Sequence, residues 1–306
     1  MKKRTRFLFI FMVVIAFAFV YANNSEEISN TINESLEDLT PVDVTDSVKL
    51  KVDGNLNVYY FDVGQADSIL LENNGEFMLI DAGNNADGEN LVNYFKELGI
   101  EKFEHVIATH AHEDHIGGMD DVINNFEVKN FYMPDVVTTS KTFEDLITAL
   151  ENNSVILQTP EIGDLLILGG CKLEVLHLDN DNEDLNDTSI VVRGLYGNTS
   201  FLFMGDATSN VEKNILNSNI DSDVLKVGHH GSKYSSMVKF LNKVTPLYSI
   251  ISVGEDNSYG HPYKSTITKL EDIGSKVYRT DIDGTIVVSS DGEKIEINTL
   301  DTELDG

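Results

Sequence analysis

The sequence is poor in cysteine, in basic residues and in long apolar runs. Its single cysteine, Cys171 in 306 residues, excludes an intramolecular disulfide, so stability in an oxidising compartment has to come from the core alone. The residues that follow it, Lys172-Leu173-Glu174-Val175-Leu176, alternate as a strand does, which makes Cys171 a buried structural thiol. Basic residues number 22 against 51 acidic ones, a formal net charge of -29. A field of that sign repels polyanions at long range and excludes a general nucleic-acid-coating surface, although it leaves room for a local basic or metal-lined cleft. There is no Gly-x-Ser-x-Gly turn, no phosphate-cradling glycine-rich loop and no internal repeat of fixed short period. A serine nucleophile on a strained elbow and a phosphate-binding loop are thereby excluded.

One apolar run stands out, the 16 residues from Phe7 to Ala22, preceded by Lys2, Lys3, Arg4 and Arg6 and closed by Val20-Tyr21-Ala22. A basic start, an apolar stretch and small residues at its end form an export signal, with cleavage expected after Ala22. The run is shorter than the roughly 20 residues that span a bilayer, so an uncleaved N-terminal anchor is the alternative. No cysteine lies near the cleavage point, which disfavours a lipoprotein. Loss of the four basic residues with the signal takes the net charge from -29 to -33. Residues 23–50 are acidic and rich in Asn, Ser and Thr, the composition of a solvated spacer. Residues 51–306 then read as one domain, with 41% of the whole chain hydrophobic and so able to bury a sizeable core.

Within that domain short apolar runs recur between turn residues and predict strands, among them Leu56–Phe61, Phe77–Ile80, His105–Ala108, Ser200–Met204, Val224–Val227 and Thr285–Val288. Helical stretches fall between several of them, notably Gly88–Leu98, Thr142–Leu150 and Ser265–Ile273. The strands form two series, one on each side of the Thr142–Leu150 helix, an order that suits a sandwich of two mixed sheets with helices outside.

The chemistry concentrates in His110-Ala111-His112-Glu113-Asp114-His115, between the strand pattern His105–Ala108 and Ile116-Gly117-Gly118, where a helix can begin. Imidazole nitrogens and carboxylate oxygens are ligands that Zn²⁺ or Mn²⁺ accept, and the absence of thiolates disfavours a structural zinc. Alternation along the chain lets His110 and His112 hold one ion from one side, while Asp114 and His115, starting the turn, hold a second. An isolated histidine would read as part of a solvated loop, but three histidines and an aspartate this close do not.

This segment resembles the His-x-His-x-Asp-His signature of metallo-β-lactamase-fold hydrolases. Leu79-Ile80-Asp81-Ala82-Gly83 is similar to the family's early strand-end motif, whose aspartate supports the ligand loop, and Phe203-Met204-Gly205-Asp206-Ala207 to the later motif whose aspartate bridges two ions. Phe61-Asp62-Val63-Gly64-Gln65-Ala66-Asp67-Ser68, Leu225-Lys226-Val227-Gly228-His229-His230-Gly231-Ser232 and Tyr259-Gly260-His261-Pro262 resemble the ComEC-like subfamily, which includes exported teichoic-acid phosphorylcholine esterases. The resemblance spans about Asn55 to Ile297 and implies an α/β fold, the αββα four-layer sandwich. It also implies two divalent ions, Zn²⁺ foremost with Mn²⁺ as the alternative. Their ligands would be His110, His112, Asp114, His115, Asn186, Asp206 and His230, and the catalytic groups Asp114, His229 and His261. The neighbours His229 and His230 leave open which is the ligand; the family's final metal histidine falls at His230, which turns His229 towards a substrate phosphate or leaving group. Many relatives carry a third histidine for the first ion where this chain has Leu185-Asn186-Asp187-Thr188, so either Asn186 or Asp187 completes that site, or both simply form a turn. His177 reads as structural or site-adjacent, His105 as surface or core, and the Asp62–Ser68 stretch as loop architecture.

The resulting expectation is an exported, extracellular or surface-held phosphodiesterase acting on nucleic acid or on a phosphodiester-bearing wall polymer or head group. A β-lactam- or lactone-opening enzyme and a non-catalytic binding module of the same fold are the alternatives. No obligate protein partner is expected, and membrane contact would involve residues 7–22 alone. N-terminal sequencing of secreted material should find Asn23 first. Intact Met1 in the membrane fraction would establish the anchor instead, and retention in the cytosol would overturn both.

Overall fold

The computed structural model describes residues 55–300, and the expected signal and the whole of the spacer lie outside them. Among the described residues no helix is long and apolar enough to cross a membrane. Two mixed sheets dominate. The eight-stranded sheet runs Ile295–Leu300, Thr285–Ser290, Leu56–Tyr60, Ser68–Asn73, Glu76–Ala82, His105–Ile107, Phe131–Tyr132 and Leu157–Gln158 in spatial order. The seven-stranded sheet runs Lys276–Arg279, Tyr248–Ile251, Val224–Lys226, Thr199–Phe203, Val191–Tyr196, Cys171–His177 and Leu165–Leu168.

Side-chain alternation explains why these strands are apolar on both faces. Along Thr199–Phe203, Phe201 and Phe203 enter the core between the sheets while Leu202 joins the helices outside. Ile69 and Leu70 divide in the same way on the other sheet. The inter-sheet core joins Val58, Tyr60, Met78 and Ile80 to Val175, Val192, Phe201 and Phe203. On the outer face of the larger sheet pack Leu91, Val92 and Phe95 from the helix Gly88–Glu97, and Phe143, Leu146 and Leu150 from the helix Lys141–Asn152. The spacing in both is that of an amphipathic helix, and Ser140 starts the second by accepting from the Phe143 amide at 3.2 Å. Val211, Phe240, Leu241 and Leu270 cover the outer face of the other sheet. Four layers result, helix, sheet, sheet, helix, as expected. Cys171 is buried in the inter-sheet core, and burial pushes its thiol up to about 12.

Strand assignment to the sheets departs from the simple two-series order. Thr285–Ser290 and Ile295–Leu300 return to the first sheet, where Leu56 lies opposite Ser290 and Tyr60 opposite Ile286 in an antiparallel register. The pairing closes the outer edge of Leu56–Tyr60 and puts Ile286 and Val288 into the inter-sheet core, a gain made across more than 220 residues of chain. The helix anticipated at Ile116-Gly117-Gly118 begins as Met119–Asn125, whereas the strand Leu165–Leu168 and the short helix Glu113–Ile116 were not anticipated.

In each sheet the parallel strands end on one side, and the loops that leave them carry the polar motifs. Gly117 and Gly118 bring the turn after His115 against the end of Glu76–Ala82, donating to Gly83 O at 2.9 Å and Ala82 O at 3.1 Å. A Cβ on Gly118 would stand 2.5 Å from Ala82 O and 2.8 Å from Gly88 Cα. Gly118→Ala should therefore destabilise by about 1–3 kcal/mol through overpacking. Gly260→Ala, where a Cβ meets nothing within 4 Å, should cost only the left-handed backbone penalty of about 1–2 kcal/mol. Thermal unfolding of both variants and the wild type tests this; a Gly118→Ala melting temperature equal to that of the wild type would refute the close packing.

Candidate metal centre

The strand His105–Ile107 continues through Ala108 and Thr109 to His110, and the chain stays extended at His112 before the helix Glu113–Ile116 begins. His110 is buried, and its Nε2 lies 2.9 Å from His112 Nδ1. Both rings thus reach one point, as alternation predicted. His115 turns inward from the helix, its ring centroid 4.1 Å from that of His110. Asp81 fixes this loop: it accepts from the Thr109 amide at 2.8 Å and from Thr109 Oγ1 at 2.7 Å, and pairs with His115 Nδ1 at 2.8 Å. Holding Nδ1 aims Nε2 of His115 into the cleft.

Asp206 comes from the other sheet, at the turn after Thr199–Phe203, with its amide donating to Ser189 Oγ at 3.2 Å. Its Oδ1 is 3.3 Å from His115 Nε2 and 3.6 Å from His230 Nε2, and its Oδ2 is 3.7 Å from His229 Nε2. Asp114 Oδ2 lies 3.3 Å from His230 Nε2. Asp114, His115, Asp206 and His230 each offer one ligand atom, and the four atoms lie within 4.8 Å of one another, a cluster able to hold a metal ion.

The structure separates the neighbouring histidines. Both adopt left-handed backbone, His229 at φ 53° and His230 at φ 50°, conformations that residues with a Cβ seldom take and that cost on the order of 1–3 kcal/mol each. His230 is buried with its Nδ1 2.9 Å from Ser252 O, and its Nε2 faces Asp114 and Asp206. His229 is partly exposed and lines the cleft beside Asp206. Asn186 and Asp187 also diverge. Asp187 is buried and accepts from the Thr208 amide, Thr208 Oγ1 and Asn210 Nδ2, which commits it to holding the following helix. Asn186 lines the cleft, and its Oδ1 is buried without a hydrogen bond. His261 lines the opposite wall, with its ring centroid 5.6 Å from that of His229. The cleft enclosed by these groups has a volume of about 430 Å³. His177 stays behind it, its Nδ1 3.1 Å from Ser189 O, and His105 sits elsewhere, bonded to Ile167 O at 2.9 Å.

Two supporting residues escaped the sequence reading. Lys226 and Asp67 form a fully buried ion pair at 2.6 Å, and Asp67 Oδ1 lies 3.4 Å from His230 Nδ1, behind the ligand face. The signal was a lone lysine in the apolar strand Val224-Leu225-Lys226-Val227, since a buried ammonium requires a buried counter-charge.

Electrostatics and hydrogen bonding both fit a cation. Burial disfavours the charged form of His230, yet Asp206, Asp67 and Asp114 outweigh it and raise its pKa to about 9. His115 behaves in the same way: burial opposes its charge, while Asp206, Asp81 and Asp114 raise its pKa well above the usual value. For Asp206, burial opposes ionisation but His230 and His115 overcome it, holding the carboxyl well below the usual range. His110 is driven the other way, chiefly by burial. His115 Nε2, His230 Nε2, Asp206 Oδ1 and Asn186 Oδ1 are all buried and lack an aligned hydrogen-bond partner. A set of nitrogen and oxygen donors left unsatisfied around one carboxylate fits a borderline divalent ion.

A family model described as the Metallo-beta-lactamase superfamily matches residues 61–255. ComE operon protein 3 of Bacillus subtilis (strain 168) is 32% identical over 199 residues, covering 64% of this chain and 26% of its own length. Competence protein ComA of Neisseria gonorrhoeae is 26% identical over 242 residues, covering 75% and 31%. The chain thus spans about a quarter to a third of the length of these curated relatives. Among solved structures, the metallo-beta-lactamase fold protein YhfI from Bacillus subtilis aligns with a TM-score of 0.55 at 12% identity, covering 78% of this chain and all of YhfI. CmlA, a diiron beta-hydroxylase from Streptomyces venezuelae, aligns at 0.52 and 14% identity, covering 81% of this chain and 55% of CmlA.

Metal uptake should be coupled to proton release, because His230 keeps its proton up to about pH 9 and a ligating imidazole must lose it. Apparent affinity for Zn²⁺ or Mn²⁺ should accordingly rise with pH towards that value. Calorimetry in buffers of different ionisation enthalpy at about pH 7.5 measures the released protons. Asp206→Ala should lose most of the bound metal and Asn186→Ala less; full loading of Asp206→Ala would refute its central place.

Proposed function

The chain belongs to the metallo-β-lactamase superfamily, and on that premise we propose that it is an exported, two-metal-dependent phosphodiesterase. One observation supports the reading above the rest. His110 and His112 meet at 2.9 Å, Asp114, His115, Asp206 and His230 cluster from two sheets beside them, and Asn186 lines the same cleft, a set that would divide into a first site of His110, His112 and Asn186 and a second of Asp114, His115 and His230 with Asp206 shared. Ions held there would supply Lewis acidity, which polarises a phosphoryl oxygen and yields a water-derived nucleophile near neutral pH. The outward basic-then-apolar pattern of residues 2–22 supports export, and the likeness to competence proteins supports a phosphodiester substrate.

The chain's own residues divide the remaining work. Asp81 and Ser252 orient His115 and His230 by holding the ring nitrogens that face away from the cleft. His261 has its pKa lowered to about 4, first by burial and then by the neighbouring His230 and His229, so near pH 7 it is neutral and suited to orienting solvent or substrate. Protonation of the leaving oxygen falls to His229, which is partly exposed on the cleft wall with Nε2 beside Asp206 Oδ2. Asp114 borders the same cleft and is held ionised: burial opposes its charge, but His115 and His230 keep its pKa far below the usual carboxylate range.

A screen of metal-loaded protein against bis(p-nitrophenyl) phosphate, p-nitrophenyl phosphorylcholine, single-stranded DNA and nitrocefin tests the reaction class. Turnover of the phosphodiesters without nitrocefin opening is expected, and the reverse would overturn the proposal. His229→Ala should keep its metals and lose about 10²–10⁴-fold in turnover on substrates with poor leaving groups, less on p-nitrophenyl esters. His230→Ala should lose metal.

A further inference from the structure

Charge is distributed unevenly along this acidic chain. Between residues 226 and 279 fall eight of the 22 basic residues but, of the 51 acidic ones, only Glu255, Asp256, Glu271 and Asp272, a local excess of four positive charges. The same stretch supplies His229, His230 and His261 to the cleft, while the facing wall brings Glu113 and Asp114. The lip that carries these histidines is thus built from a stretch that is net positive, in a chain that is strongly acidic as a whole.

Five of the eight cations are already engaged. Lys226 is buried against Asp67, Lys269 donates to Ser236 O, Lys243 donates to Ser218 O, Lys276 donates to Tyr278 Oη, and Arg279 pairs with Asp281. Lys233 is different. It is exposed, with Nζ 5.0 Å from the ring centroid of Tyr234 and 5.2 Å from that of Tyr263, and among the described residues no carboxylate lies within ion-pair distance of it. Tyr263 in turn packs 5.7 Å, centroid to centroid, from His261 on the cleft wall. Tyr263 thus links the ammonium to His261 on the rim of the cleft. Two π faces restrict where it sits without neutralising its charge, which leaves it able to attract an anion.

We propose that Lys233, held by Tyr234 and Tyr263, is an anion subsite for the phosphate next to the scissile diester, so that the cleft prefers ligands with a second phosphate on this lip. The subsite rests on the phosphodiesterase reading for its biological use, but its anion preference can be measured by binding alone. It also reconciles a surface that repels polyanions at long range with a substrate made of successive phosphodiesters, since attraction is confined to one lip within a Debye length of the cleft.

Calorimetric titration of metal-loaded protein with thymidine 5′-phosphate and thymidine 3′,5′-bisphosphate is the test. The bisphosphate should bind about fivefold more tightly, as expected for one added exposed ion pair, and the advantage should shrink as salt rises. Lys233→Gln should abolish the advantage and Lys233→Glu should reverse it. Lys239→Gln, an exposed lysine of the helix Val238–Val244, should leave it intact. Equal affinities in the wild type, binding of neither ligand, or an advantage kept by Lys233→Gln would overturn the subsite. Failure to hydrolyse bis(p-nitrophenyl) phosphate with the binding preference present would count against the phosphodiesterase reading alone.

Discussion

Negative charge held out of water sets the terms for everything around the cleft. Asp67, Asp81 and Asp206 are each at most 2% exposed, and Asp114 borders them. Several carboxylates cannot share a low-dielectric region without compensating positive charge, because desolvation costs each ion several kcal/mol. Lys226 compensates Asp67 permanently, at 2.6 Å. Asp81 is satisfied by Thr109 and His115. Asp206 and Asp114 are left to raise the proton affinity of His115 and His230, and divalent ions can take the place of those protons.

The fold meets this demand by bringing the ends of parallel strands from both sheets to one side. Two contacts cross between them, the bond from Ile190 N to Thr109 O and the Lys226–Asp67 ion pair, while His229 N donates to Gly205 O and Asp67 N to Asp114 O within their own sheets. The two crossing contacts fix the separation of loops that belong to different halves of the chain, and the other two hold neighbouring loops of one sheet together. The surrounding apolar layers supply the stability that tolerates two consecutive left-handed histidines, a local cost of a few kcal/mol repaid by pointing one ring into the buried cluster and the other at the cleft.

The metallo-β-lactamase fold by itself is permissive about chemistry, as the alignment with a diiron hydroxylase illustrates, so the reading of this cleft rests on its own side chains. Nitrogen and oxygen donors, a neutral His261 and a partly exposed His229 are the groups this cleft offers.

Much of this was legible along the chain. The His110–His115 cluster, the two-sheet sandwich and the buried thiol follow from local pattern, because alternation, helical spacing and ligand chemistry act over a few residues, while Asp81 and Asp206 were found through the family resemblance. Tertiary structure alone decided which partner each polar group meets. It returned Thr285–Ser290 to the first sheet, since the free edge of Leu56–Tyr60 lies far away in sequence. It committed Asp187 to Thr208 and Asn210 and left Asn186 in the cleft, although nothing local distinguishes them. It separated His229 from His230 by burying one ring against Ser252 and Asp114 and leaving the other partly exposed beside Asp206, a difference that sequence adjacency conceals. It paired Lys226 with Asp67 across 159 positions, because a buried charge selects its partner by distance in space and by the low dielectric around it, neither of which local sequence records.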